Sequence, residues 1–438
     1  MNFFLNFPLK ISRRTYLFSV FVIASFLRVI LNLNNQLAIG GDSKKFLLVA
    51  DSILQGFGFA FGDGKPTAFL MPVYPFLLAG VRFCLGENIF YIQLVQAILG
   101  ALSCLIIYFI AFDVFNKRVA EVSFLVMTFY YFLIKQCGII YAETLYIFLL
   151  SLSMFFLIRI FKVPEKRNNY IFFGIFFALV ILTNCNLILF PFLIGVLLLW
   201  SFKKRIVVKN ILVMLTIFSL PILGWAVRNY IVFHELIILP NKGGAFFYSS
   251  WTPAGGKIFG IKTKDEVTRF GGELASEAER NSYYYKKGWE VIQANPKRAL
   301  KQLILKNAYF WSIFDWETLG NGTYNFSTIF IMPFFIISFF YIKRSDFFYV
   351  MPFIILILYY VLLANIFMGL PRYRMQIEPF LIILAAFAMV SLYEKFRQKQ
   401  VYLICTGLWL LINFLIFTQA PAAKNLVKSL AVRIGIWW

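Results

Sequence analysis

Histidine and cysteine are both scarce in this 438-residue sequence. His234 is the single histidine, and the five cysteines are scattered without a C-x-x-C pair. The sequence therefore offers no basis for imidazole catalysis, a histidine-based metal site or a disulfide framework. It also has no Walker A loop, no G-x-G-x-x-G motif and no soluble domain large enough for a nucleotide-sugar site. Any catalysis must rest on carboxylates and cations.

Charged residues are few as well, at 14% of the chain, whereas 61% is hydrophobic. Apolar runs with few charges recur from one end to the other, and most of them approach the ~20 residues that a helix needs to cross a bilayer. The runs are continuously apolar and do not alternate, which favours helices over a barrel. The sequence thus predicts an all-α, polytopic transmembrane helical bundle.

The formal net charge of +22 would suit a nucleic-acid partner, but the position of the basic residues argues against one. They form short clusters at every second hydrophilic break, which is the positive-inside pattern of cytoplasmic loops. The clusters are Lys10/Arg13/Arg14, Lys117/Arg118, Lys162/Lys166/Arg167, Lys203/Lys204/Arg205/Lys209, Lys343/Arg344 and Lys395/Arg397/Lys399. We therefore predict an integral membrane protein without a nucleic-acid partner.

With these clusters inside, we count eleven spans. They cover about 16–34, 88–112, 119–136, 143–161, 170–183, 186–202, 210–231, 327–342, 347–365, 376–394 and 401–419. The pair within 170–200 could instead be one long kinked hairpin. The first run, despite its basic front, is interrupted by Arg28, so we expect a retained helix in which Arg28 pairs with a carboxylate.

This topology predicts three regions. The first, 1–231, is an N-terminal transmembrane module with an external loop at 35–87. The second, 232–326, is an external loop region, and the third, 327–438, holds C-terminal transmembrane helices and an external tail. Amphipathic stretches at 42–56 and 299–314 predict helices that lie in the membrane interface.

Five motifs follow one another on the predicted external side, at 40–56, 65–66 with 72–78, 141–145, 225–229 with 243–244, and 371–379. Together they resemble landmarks of the GT-C superfamily of polytopic membrane glycosyltransferases, in particular the bacterial relatives of protein O-mannosyltransferases and aminoarabinose transferases. The resemblance covers most of residues 16–395. It implies inverting transfer of a sugar from a polyprenyl-phosphate donor to an external lipid, glycan or protein acceptor.

Two carboxylates are the candidate catalytic residues. Asp42, at the start of an amphipathic helix, could take the proton of an acceptor hydroxyl or bind a metal, and it could also be only an N-cap. The family often has two adjacent acids where this chain has Asp42-Ser43, so a divalent cation is left open. Glu143 matches a second acidic position of the family, although a helix dipole would explain it equally. Asp51 is a supporting candidate that solvation also explains.

Four cations are candidates for binding the donor phosphate: Lys65, Arg228, Arg372 and Arg374. The two arginines of 371–379 lie in a short external loop where basic residues are disfavoured, and arginine can grip phosphate with two hydrogen bonds. Glu378 would orient Arg374 as an i,i+4 partner. The alternative is that both side chains reach for lipid headgroups.

The second function that we consider is a transporter or flippase of lipid-linked sugars. It predicts charges at the membrane midplane and internal repeats, and neither is evident. A structural membrane protein would leave the external acid and arginines unexplained. We expect a bacterial cytoplasmic membrane with the active site facing outside. The sequence leaves open the donor sugar, the acceptor, metal dependence and the oligomeric state.

Overall fold

The computed structural model describes residues 12–33, 42–62, 64–252, 276–312, 314–315 and 323–418. Within these ranges the chain forms eighteen α-helices. They are α1 (Arg13–Ile30), α2 (Asp42–Leu54), α3 (Val73–Leu85), α4 (Ile89–Val114), α5 (Lys117–Thr128), α6 (Tyr131–Gln136), α7 (Glu143–Lys162), α8 (Arg167–Thr183), α9 (Phe190–Ser201), α10 (Arg205–Phe233), α11 (Gly243–Trp251), α12 (Glu277–Ala294), α13 (Pro296–Phe310), α14 (Phe326–Ser338), α15 (Arg344–Ile366), α16 (Pro371–Arg374), α17 (Glu378–Lys395) and α18 (Lys399–Thr418). The predicted all-α class is confirmed.

Strand structure in the described residues is limited to one antiparallel pair, Phe314–Asp315 with Thr323–Tyr324. Parts of the predicted regions lie outside the described residues: 1–11, 34–41 and 63 of the first region, 253–275, 313 and 316–322 of the second, and 419–438 of the third. Residues 40–41 of the first motif are among them.

Within the described residues, each predicted apolar run is mainly helical, and the 119–136 run is divided into α5 and α6. Among the described residues, five helices are long and apolar enough to cross a membrane: α4, α7, α10, α15 and Lys399–Ile416 of α18. Shorter apolar helices are Val73–Leu85, Arg167–Thr183, Cys185–Ser201 and Phe326–Ser338. The chain is thus an integral membrane protein by its apolar helices, and the number of eleven spans stays a prediction. The 170–200 stretch forms two helices, α8 and α9, joined by a 3-10 turn at Cys185–Leu187.

The centre of the bundle is α17, whose residues from Glu378 to Val390 are all buried. It packs against α14 and α5, while α7 packs between α4 and α8. Within the 35–87 region, α2 packs against α3 through an edge-to-face contact of Phe46 and Tyr74, whose ring centroids are 4.9 Å apart. In the 232–326 region, α11 packs against α12, and α13 packs against α15. The described helices of the two loop regions therefore pack on one another, and α3 and α13 also pack against helices of the bundle.

The expectation that Arg28 pairs with a carboxylate is wrong for the described residues. Its buried guanidinium donates to the carbonyls of Ala24 at 3.0 Å, Met127 at 3.2 Å and Thr128 at 3.3 Å, and contacts the thiol of Cys104 at 3.2 Å. The predicted 119–136 span breaks between α5 and α6, which leaves the last carbonyls of α5 without helical partners. Those carbonyls carry the negative end of the helix dipole and take the place of a carboxylate.

Candidate active site

Arg372 connects two of the predicted carboxylates. Its Nε–H donates to Glu143 Oε1, and its Nη1 lies 3.5 Å from Asp42 Oδ2. The three residues come from distant parts of the chain, at the start of α2, the start of α7 and within α16. The fold therefore assembles one acid–arginine–acid group from three of the five sequence motifs.

The ends of the helices explain why these side chains meet. Asp42 and Glu143 are the first residues of α2 and α7, where the dipole and the free amides favour negative charge. Pro371 begins α16 and fixes the direction of that short helix. The guanidinium of Arg372 also stacks on the ring of Tyr141, with Cζ 4.0 Å from the ring centroid. Arg372 is thus held on two sides by carboxylates and on a third by an aromatic ring.

The two carboxylates differ in exposure. The Glu143 side chain is 4% exposed and the Asp42 side chain is 37% exposed. Glu143 Oε2 is buried and has no hydrogen-bond partner in the described part of the chain. A buried carboxylate that grips one arginine is suited to hold that arginine in place, whereas Asp42 is accessible to a substrate.

Two further cations lie beside Asp42, and neither is among the site residues predicted from the sequence. Lys45 Nζ is 3.6 Å from Asp42 Oδ1, and Lys242, the residue before α11, is electrostatically coupled to the same carboxylate. Both ammonium groups approach the ring of Phe69, with Nζ at 4.5 Å from the centroid for Lys45 and 6.0 Å for Lys242. The i,i+3 spacing from Asp42 could have indicated Lys45. Nothing in the sequence indicated Lys242.

Burial and charge act on Asp42 in opposite directions. Burial raises the pKa of its carboxyl, and the nearby Arg372, Lys242 and Lys45 lower it. The net effect is a pKa below the ordinary value for aspartate, because three positive charges outweigh partial desolvation. The carboxyl group of Asp42 is therefore ionised at neutral pH.

Arg374, two residues after Arg372, lies in a different environment. It is fully buried, pairs with Glu378 at 2.8 Å and donates to the carbonyls of Phe310 at 2.7 Å and Ser312 at 2.9 Å. Thr328 and Tyr130 bind the same Glu378 carboxylate. The expected i,i+4 contact of Arg374 with Glu378 is present, and it ties α13, α14, α16 and α17 together. The structure does not bring this pair to Asp42.

The remaining candidates also have other partners. Arg228 donates to the carbonyls of Thr67 at 3.2 Å and Phe59 at 3.0 Å. Asp51 forms an ion pair with Arg82 that joins α2 to α3. Lys65 is exposed, in a turn closed by the hydrogen bond from Phe61 N–H to the Lys65 carbonyl at 3.1 Å. The contacts around Arg372 include none of the three.

The carboxylates do not fit a bound divalent cation. Arg372 lies between Asp42 and Glu143 and already places a positive charge there. Within the described ranges, no three histidine, cysteine, aspartate or glutamate side chains lie close enough together to hold a metal ion.

Solved structures with a similar fold include AglB, the oligosaccharyltransferase of the archaeon Archaeoglobus fulgidus. In complex with an inhibitory peptide and a dolichol-phosphate, it has a TM-score of 0.54 and 15% identity, over 97% of this chain and 56% of AglB. In complex with Zn and sulfate, the TM-score is 0.53 and the identity is 14%, over 92% of this chain and 52% of AglB. ArnT from Cupriavidus metallidurans, bound to undecaprenyl phosphate, has a TM-score of 0.42 and 13% identity, over 86% of this chain and 78% of ArnT. This chain spans about half the length of AglB.

This chain therefore has the fold of AglB, as the predicted resemblance implies. A family model agrees with it: dolichyl-phosphate-mannose-protein mannosyltransferase matches residues 65–225. The matched stretch contains Glu143 but neither Asp42 nor Arg372. No curated protein matches the chain in sequence.

Proposed function

We propose that this chain is an inverting glycosyltransferase that moves a sugar from a polyprenyl-phosphate donor to a lipid, glycan or protein acceptor. One observation carries the proposal: an accessible carboxylate, Asp42, lies among three cations where the helices of both loop regions meet the bundle. A base beside a cluster of cations is the combination needed to activate a hydroxyl and to receive a departing phosphate. The dolichol-phosphate in the AglB complex supports a donor of this class.

In the proposed reaction, the acceptor oxygen attacks the anomeric carbon and its proton passes to Asp42. The bond between the anomeric carbon and the phosphate oxygen breaks, and its electron pair stays on the phosphate. The products are the glycosylated acceptor, with inverted configuration at the anomeric carbon, and the polyprenyl phosphate. Atoms and charge balance without a further reactant.

Arg372, Lys45 and Lys242 supply the positive charge that the departing phosphate requires. Arginine offers a planar pair of donors for phosphate oxygens, and the lysines act as point charges. Because Glu143 holds the guanidinium and is itself buried, Arg372 keeps its position when a substrate displaces Asp42 from it. We assign Glu143 this holding role and Asp42 the role of base.

Sugar transfer by the purified protein in nanodiscs tests the proposal. Undecaprenyl-phosphate sugars of several kinds serve as donors, and membranes from cells without the chain supply acceptors. We expect release of undecaprenyl phosphate together with labelling of an acceptor. Asp42→Asn should lower the rate about 100-fold, which is the usual effect of losing a positioned base. Its thermal stability should stay close to that of the wild type.

Asp51→Asn is the matched control, since Asp51 lies on the same helix and pairs with Arg82 instead. It should keep most of the transfer activity. If Asp42→Asn turns over an identified donor at the wild-type rate, Asp42 is a helix cap and the assignment is wrong. If the wild type transfers none of the donor sugars, the enzymatic function itself is wrong.

A further inference from the structure

Glu277, the first residue of α12, binds the 35–87 region with both carboxylate oxygens. Oε1 accepts a hydrogen bond from the Thr67 hydroxyl at 3.0 Å, and Oε2 accepts one from the Ala68 backbone N–H at 3.0 Å. Thr67 and Ala68 are buried. Hydrogen bonds to an ionised carboxylate are stronger than those between neutral groups. The proposed chemistry does not use this carboxylate, so its position calls for another role.

The contact continues to Phe69. The Thr67 hydroxyl has a single O–H, and it donates the hydrogen bond to Glu277. Its oxygen accepts a hydrogen bond from the Phe69 backbone N–H at 3.0 Å. Glu277 thus fixes the direction of the hydroxyl, and the hydroxyl fixes the Phe69 backbone. The Ala68 carbonyl accepts the N–H of Asn241 at 3.3 Å, which places Lys242 next to the same turn.

The ring of Phe69 in turn faces two cations of the site, Lys45 and Lys242. Its ring face lies 4.5 Å from Lys45 Nζ and 6.0 Å from Lys242 Nζ, distances at which an ammonium group is attracted to an aromatic ring. Lys45 also lies 3.6 Å from Asp42. A shift of the Phe69 ring would therefore change where both lysines stand relative to Asp42.

We propose that Glu277 is a positioning residue for this site: it fixes Phe69, and Phe69 fixes the two lysines beside Asp42. The inference rests on the proposed function, because it assigns Glu277 to the reaction that Asp42 performs. It links a helix of the 232–326 region to a carboxylate at the start of the 35–87 region, without any contact between Glu277 and the substrate.

The pH dependence of kcat/KM separates this role from a purely structural one. The charged groups that face Asp42 are Arg372, Lys242 and Lys45, with Glu143 behind Arg372. When the lysines lose their fixed positions, the pKa of Asp42 rises, because two of the charges that lower it move away. The acid limb of the pH profile, which reports the ionisation of the base in the free enzyme, then moves to higher pH.

The experiment compares Glu277→Gln with Glu279→Gln in the nanodisc transfer assay. Glu279 lies in the same first turn of α12, where it completes a capping box with Ser276. We expect Glu277→Gln to lower kcat/KM roughly tenfold, since one charge-assisted hydrogen bond becomes a weaker one and the other is lost. The acid limb of its pH profile should move to higher pH, and the acid limb of Glu279→Gln should stay in place. Equal profiles for the two variants would refute the positioning role.

Phe69→Leu provides a second route that leaves the Glu277 contacts in place. It should reproduce the upward shift of the acid limb, and the double variant with Glu277→Gln should be no worse than the stronger single variant, because both act through one ring. The inference would be overturned if the acid limb of Phe69→Leu lay at the same pH as that of the wild type. Additive losses of kcat/KM in the double variant would overturn it as well. Asp42→Asn in the same assay keeps the two proposals apart. If it is inactive while Glu277→Gln behaves as wild type, only the inference about Glu277 fails.

Discussion

Arg372 and Arg374 share the four-residue helix α16, yet the fold gives them opposite surroundings. Arg372 is held at the accessible carboxylate Asp42, and Arg374 is sealed in the core with Glu378 and two backbone carbonyls. Two residues along a helix rotate a side chain by about 200°, so neighbours of this spacing face different sides. Under the proposed function, arginine therefore serves catalysis at position 372 and stability at position 374.

Lysine substitutions distinguish the two positions. Arg372→Lys should lower transfer at least ~10-fold with little change in thermal stability, because lysine lacks the planar pair of donors that suits both carboxylate and phosphate. Arg374→Lys should instead destabilise the fold by roughly 2 kcal/mol, because buried carbonyls lose their donors. Donor titration and thermal unfolding of the purified variants measure the two effects. If Arg374→Lys keeps its thermal stability but transfers sugar slowly, while Arg372→Lys transfers it at the wild-type rate, the roles of the two arginines are reversed.

At the scale of elements, α11 and α12 approach each other through Gly244. A Cβ added there would lie 2.0 Å from the Asn281 backbone carbonyl oxygen, which no real contact tolerates. The Gly244 N–H also donates to the Asn281 side chain at 2.7 Å. Since Lys242 directly precedes α11, this close approach decides where one of the site's cations stands.

Gly244→Ala should force α11 away from α12 and lower transfer, and overpacking of this kind destabilises by about 1–3 kcal/mol. Gly80→Ala is the control, because a Cβ at Gly80 in α3 meets nothing within 4 Å. It should be neutral or stabilising by about 0.5–1 kcal/mol, as alanine is favoured over glycine in a helix. Transfer rates and thermal unfolding of both variants are the measurements. Equal behaviour of the two would show that the approach of α11 and α12 does not matter.

Lys306 joins α13 to the end of α15. Its buried ammonium group donates to Ser250 Oγ at 3.1 Å and to the carbonyls of Asn365 at 3.0 Å and Ile366 at 3.4 Å, and lies 3.5 Å from the centroid of the Trp251 ring. Those carbonyls end α15, where a cation is favourable. Burial nevertheless lowers the pKa of Lys306 to about 7.

This pKa predicts a pH-dependent stability. An unfolded lysine has a pKa of about 10.4, so between pH 7 and that value the unfolded chain binds more protons than the folded chain. Stability therefore rises with pH across this window, by roughly 2 kcal/mol between pH 7 and 9. Thermal unfolding of the wild type and Lys306→Met at several pH values measures the effect. The stability of the wild type relative to Lys306→Met should increase as the pH rises. Parallel plots of stability against pH for the two proteins would contradict the titration of Lys306.

Across the whole molecule, the sequence predicts the helices well and the site in part. Apolar runs translate directly into helices, because each run has to be buried in lipid or protein. Asp42 and Glu143 are indicated by the family resemblance, whereas their places at helix starts offer only the alternative explanation of a cap or a dipole contact. The burial of Arg374 and the approach of Lys242 to Asp42 could not be predicted, since both depend on contacts between segments far apart in the chain. The break between α5 and α6 escaped prediction because periodicity does not show a two-residue interruption.

The orientation of the molecule rests on its basic loops, and the last prediction tests it. If the positive-inside rule holds, the 232–326 region and Asp42 face away from the cytoplasm, in line with a domain organisation of 1–231, 232–326 and 327–438. In a background without the native cysteines, Gln293→Cys on α12 should react with a membrane-impermeant thiol reagent on intact cells. Lys203→Cys, before α10, should react only after the cells are opened. Gln293 and Lys203 are both exposed, so accessibility within the protein does not bias the result. Labelling in the opposite order would show that the site faces the cytoplasm. A donor carried to the outer face of the membrane could not reach it there.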